Sequence, residues 1–117
     1  MSLPRVMARR ETSDAVILEL SVPEDLEVFR GHFPDMPVLP VVVQIDWALR
    51  LAQANGLIGG DADMRDFQVK FRNVIRPCTP LILTLRFDDI KRRIYFDYHS
   101  AGALMSSGHL ILQAEAS

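Results

Sequence analysis

With 117 residues, 49% hydrophobic and 24% charged, the chain is too apolar for disorder and the length of one domain, expected to span residues 1–117. A net charge of −2 gives no general attraction for nucleic acid or an anionic membrane. A single cysteine, Cys78, excludes an internal disulfide and a multi-cysteine metal site, and no apolar run approaches the ~20 residues of a membrane span, so a reducing, cytoplasmic location is expected.

Pro4 to Arg10 and Ala15 to Val22 read as two strands joined by the polar turn Glu11-Thr12-Ser13-Asp14. In the second, Val16, Leu18, Leu20 and Val22 share one face. Pro23 ends it, because proline supplies no ladder donor, and Leu26 to Arg30 can form a short helical turn. The segment Gly31 to Pro40 carries three prolines, a glycine and His32 in a stiff, irregular loop. From Val41 to Asn55 a helix is expected: Pro40 suits its start and Asn55-Gly56 its stop. Three successive valines oppose it by propensity, while Trp47 to Ala54 is made largely of good helix formers. Apolar on nearly every side, this helix must be enclosed, and a strongly curved sheet would do so. Leu57 to Arg65 is a loop. Four strands follow, at Asp66 to Val74, Leu81 to Asp88, Arg92 to His99 and Leu104 to Ala114, with short connections that make the last three antiparallel neighbours. The arrangement is α+β. The basic run Lys91-Arg92-Arg93 reads as a solvated hairpin end.

Chemistry concentrates in the loop and the helix. His99 and His109 have no partner evident from spacing. His32 differs: Pro34 and Pro37 restrict the backbone around it, and a held imidazole can serve as a base near neutral pH, although a lone histidine is more often an ordinary surface or core residue. Asp46 is a carboxylate on an apolar helix. Desolvation would favour its protonated form and make a general acid; the alternative is an ion pair with Arg50, one turn on, which would keep it charged. The backbone N–H groups of Val41, Val42 and Val43 point out of the first turn and could polarise a carbonyl oxygen, or be satisfied by water and the preceding loop.

Gly31-His32-Phe33-Pro34, then Pro37-Val38-Leu39-Pro40, then Asp46 resembles the signature of the hot-dog-fold 3-hydroxyacyl-acyl-carrier-protein dehydratases of bacterial fatty-acid synthesis. The likeness extends to Ser21-Val22-Pro23-Glu24 and Val69-Lys70-Phe71-Arg72, and Val43-Gln44-Ile45-Asp46-Trp47-Ala48 looks like the branch serving aryl-polyene pathways. The resemblance implies a curved antiparallel sheet wrapped around one long central helix, and a homodimer with sheets joined edge to edge. It implies His32 as base and Asp46 of the other subunit as acid, dehydrating a 3-hydroxyacyl thioester on acyl carrier protein or coenzyme A to a trans-2-enoyl thioester. The N–H at position 41 would hold the thioester carbonyl, and the Val38 carbonyl would fix the histidine tautomer. Phe33, Val42 and Arg50 complete the candidate substrate-binding set. Neither cofactor nor metal is implied.

Two residues depart from the family pattern: Val41 stands where glycine is usual, and Arg50 where glutamine is common. Arg50 could weaken Asp46 as an acid, or turn outward to bind a phosphate or carboxylate. Two further readings follow: a hot-dog acyl thioesterase, which also uses a carboxylate on the central helix, and a non-catalytic acyl- or carrier-binding paralogue.

Overall fold

The computed structural model describes residues 3–26, 29 and 37–113. Seven elements follow in chain order: β1 (Arg5–Glu11), β2 (Val16–Ser21), α1 (Val41–Ala54), β3 (Met64–Phe71), β4 (Leu81–Asp88), β5 (Arg93–Ser100) and β6 (Ala103–Leu112). The strands form one antiparallel sheet in the order β1-β2-β4-β5-β6-β3, the hot-dog fold.

Period-two patterning sets which face is buried. Leu18 and Leu20 of β2, Leu81, Leu83 and Leu85 of β4, Ile94, Phe96 and Tyr98 of β5, and Leu110 and Leu112 of β6 point into one core. Across the ladders, Leu18 sits opposite Leu83, and Leu85 opposite Phe96, so inward side chains stack in rows against α1. The helix contributes Val43, Gln44, Ile45, Trp47, Ala48, Leu51 and Ala52 to that core. Packing thus overrides the strand preference of Val41-Val42-Val43.

The helix stops where the sequence indicates. Asn55 caps it, its side chain and its backbone N–H both donating to the Leu51 carbonyl at 2.8 and 3.0 Å. Gly56 takes φ +76°, the left-handed conformation that glycine adopts without penalty.

Enclosure is less complete than expected. Val42 is 65% exposed, and Asp46, Leu49, Arg50 and Gln53 are only partly covered. A single sheet covers one face of a helix, and the 42-46-50 stripe lies on the other.

Strand ends also differ from expectation. The strand expected at Asp66 to Val74 runs from Met64 to Phe71, because the Arg72 and Asn73 N–H groups both turn onto the Met105 carbonyl at 3.0 Å. It pairs with β6 and forms the sheet edge. The β3–β6 contact is close. A Cβ on Gly108 would run into the Gln68 carbonyl oxygen and lie 2.9 Å from the Val69 Cα. At the β4–β5 turn, Lys91 is exposed, but Arg92 is half-buried over the Phe87 ring with its head 3.2 Å from Asp89. The Asp88 carboxylate accepts N–H bonds from Ile90 and Lys91; the Lys91 bond contributes most to holding its pKa below the usual value. Among the described residues, no helix is long and apolar enough to cross a membrane.

Candidate active site

Pro40 opens α1 with φ −61° and ψ 148° and offers no side-chain cap. Its carbonyl accepts from the N–H groups of Val43 and Gln44, at 3.1 and 3.2 Å. Val43, expected among the outward-pointing donors, is therefore occupied; Val41 and Val42 precede the first intrahelical bond. The Val41 side chain, which replaces the usual glycine, packs at the margin of the core, and its N–H is retained. The loop is pinned to the β3–β4 connection: the Leu39 N–H donates to the Ile75 carbonyl at 2.7 Å. Val38 beside it is half-buried. His32 and Phe33 lie outside the described residues.

Asp46 lies in the second turn, on the open stripe with Val42 and Arg50. Its side chain is 28% exposed, and Arg50 Nη1 stands 3.5 Å from its Oδ2. The ion pair weighed as the alternative to a desolvated acid is thus present in the single chain. Its geometry is loose: one contact, at the long end of hydrogen-bonding distance, with an arginine side chain 39% exposed.

Under the same helix lies a polar cluster that sequence reading missed. Gln44, Ser106 and Tyr98 each have 0% exposure. The Gln44 side-chain N–H donates to the Leu39 carbonyl at 3.0 Å, and the Ser106 hydroxyl donates to Gln44 Oε1 at 2.6 Å. The Tyr98 hydroxyl donates to the Gln44 backbone carbonyl, also at 2.6 Å. Burial first, and the Asp46 carboxylate second, raise the Tyr98 phenol well above its ordinary 10.0. A signal existed: Gln44 is the one amide in the Val41-to-Ala52 run and shares the helical phase of Ala48 and Leu51.

The remaining aromatics and histidines divide. Phe29 and Trp47 are buried in the core, whereas Phe67 and Phe71 lie exposed on edge strand β3. His109 stands on the outer sheet face with its ring 5.6 Å from Tyr95; desolvation, then Arg93, lowers its pKa from 6.5. That placement is remote in the fold from the helix N-terminus, with the sheet between. No group of His, Cys, Asp or Glu among the described residues is arranged to hold a metal ion.

Residues 8–109 match the family of ApeI-like dehydratases. The solved dehydratase heterocomplex ApeI:P from Xenorhabdus doucetiae superposes with a TM-score of 0.87 at 30% identity, covering 97% of this chain and 100% of that one. The 3-hydroxyacyl-acyl-carrier-protein dehydratase FabZ of Oenococcus oeni is 32% identical over 90 residues, 71% of this chain and 64% of the relative. Its counterpart in Paracidovorax citrulli is 35% identical over 79 residues, 57% of this chain and 52% of the relative. The matched span therefore covers between about half and two thirds of these curated relatives.

Proposed function

Since this chain belongs to the family of ApeI-like dehydratases, we propose that it removes water from a 3-hydroxyacyl thioester carried on acyl carrier protein. The match over residues 8–109 carries this reading. The helix supports it locally, with an uncapped N-terminus and a carboxylate one turn further along an uncovered face.

The residues take the following roles. The Val41 N–H, with Val42 beside it, receives the thioester carbonyl and stabilises the enolate-like charge that develops when a proton leaves C2. His32 takes that proton, its tautomer set by the Val38 carbonyl. The C2–H electron pair becomes the C2=C3 double bond, the C3–O bond breaks, and Asp46 delivers a proton so that hydroxide leaves as water. The histidine gains one proton and the aspartic acid loses one; exchange with solvent restores both. Redox balance is unchanged, so the step consumes no cofactor.

Asp46 faces away from its own sheet, and it serves the His32 of a second subunit. That subunit is a second copy of this chain; the Xenorhabdus relative, a heterocomplex, favours a companion chain as the second reading. Arg50 releases the Asp46 carboxylate when Asp46 acts as the acid.

Purified protein is given a 3-hydroxyacyl carrier substrate and its coenzyme A counterpart, and enoyl absorbance is followed. His32→Ala and Asp46→Asn each abolish turnover. Co-expressed in equal amounts, they form mixed dimers with one intact site, restoring about a quarter of wild-type activity by random pairing. Wild-type rates in His32→Ala refute the role given to His32, and no enoyl product from the wild-type protein refutes the reaction; no recovery on mixing refutes the homodimeric site and leaves the companion chain. Free-thiol release in place of enoyl formation would mark a thioesterase.

A further inference from the structure

Building on the dehydratase reading, we infer that Gln44 is a positioning residue: a buried strut that fixes the backbone of Leu39 to Val41, and with it the Val41 N–H. A buried amide is costly unless all its hydrogen bonds are made. Gln44 sits among Trp47, Ala48 and Leu51, where an apolar side chain of equal size would complete the core without that cost. Its amide instead makes two specific bonds: the oxygen takes the Ser106 hydroxyl of β6, and the nitrogen holds the Leu39 carbonyl.

The consequence is geometric. Leu39 is held at both backbone groups, by Ile75 through its N–H and by Gln44 through its carbonyl. One residue on, the Pro40 carbonyl is fixed by the Val43 and Gln44 N–H groups. The proline ring fixes the torsion between these anchors. The Val41 N–H therefore has little freedom to turn, and its direction is referenced to the sheet through Ser106. Tyr98, bonded to the Gln44 carbonyl, secures the same helical turn from β5. A donor held at the angle the developing oxyanion needs acts on the transition state more than on the bound substrate.

Gln44→Met keeps volume and removes both bonds. It lowers kcat by about tenfold or more with KM within about twofold, the mark of an interaction made chiefly in the transition state. Amide hydrogen exchange reads the strut without reference to activity. In Gln44→Met, exchange at Leu39 accelerates while Leu83 and Phe96 in the central strands keep wild-type protection. Ser106→Ala shows the same two changes in weaker form, and adding it to Gln44→Met costs nothing further, because Ser106 acts through Gln44. Unchanged kcat in Gln44→Met, or unchanged Leu39 protection, overturns the inference. If Gln44→Met does not fold, Ser106→Ala decides, and wild-type kcat and Leu39 exchange in that variant overturn it. Wild-type protein inactive on hydroxyacyl substrates refutes the reaction instead, and the Leu39 exchange arm then judges the strut alone.

Discussion

Replacing Arg50 with glutamine, the residue common at this place in related dehydratases, tests whether the Asp46 ion pair restrains the enzyme. The pair makes one contact at 3.5 Å between side chains 39% and 28% exposed. With solvent screening at that exposure, an (i, i+4) pair is worth about 0.3–0.5 kcal/mol, and about 1 kcal/mol at most. If the reacting state requires Arg50 to let go, Arg50→Gln recovers that amount from the barrier. At 1.36 kcal/mol per tenfold, kcat rises about twofold and no more than about fivefold. The pair's own share of folding stability is the same small amount, worth about 1–3 °C in Tm. Enoyl absorbance under saturating carrier substrate gives kcat, and a thermal scan gives Tm. A loss of kcat of about tenfold or more refutes the reasoning, because it would make Arg50 a participant that holds substrate. A rise well beyond fivefold refutes it too, since a pair this exposed cannot store that much.

Alkaline stability should depend on Tyr98. Its phenol is raised above 10.0 by burial and then by Asp46, so the native state stays neutral where the unfolded chain ionises. That stability is complete below about pH 10 and is lost above it at up to about 1.4 kcal/mol per pH unit. Tyr98→Phe costs about 1–2 kcal/mol at neutral pH, with the hydrogen bond to the Gln44 carbonyl gone, and its Tm falls less steeply between about pH 9 and 11; parallel Tm curves would contradict this. Gly108→Ala drives a Cβ into the Gln68 carbonyl and within 2.9 Å of the Val69 Cα. β3 must shift, at a cost of about 3 kcal/mol, read as a Tm lowered by about 10 °C with faster amide exchange along β3; a Tm within about 2 °C of wild type would show that the edge strand yields freely.

Legibility in the sequence followed the range of the forces involved. β4 and β5 were readable almost to the residue, because Leu81/Leu83/Leu85 and Ile94/Phe96/Tyr98 alternate strictly and short turns join the strands. The helix was readable despite its valines, and its end at Asn55-Gly56 rests on a local cap. β3 was not, in either its limits or its neighbour. It is exposed over nearly its whole length, so little burial alternation marks it, and pairing with β6 is a long-range choice helped by a glycine that shows no sequence periodicity. Asp46 and Arg50 were readable as a pair by spacing, but which state prevails depends on exposure that spacing does not report. Ser106 and Tyr98 could not be linked to Gln44 from sequence, since more than fifty residues separate them.

The two faces of α1 bear directly on the proposed two-chain site. One face carries Gln44, Trp47, Ala48 and Leu51, all at 3% exposure or less, and the sheet completes it. The other carries Val42, Asp46 and Arg50, and its first residue, a valine, is 65% exposed. The Asp46 side chain is 28% exposed and has a guanidinium beside it, an open setting for acid chemistry. Covering the stripe with a second subunit would bury Val42, which gains from leaving water, and would exclude the solvent that now reaches Asp46. The same event would bring His32 of the other chain to the carboxyl. Burial of an apolar residue would then offset the cost of drying an acid, so that assembly and acid function become one equilibrium rather than two.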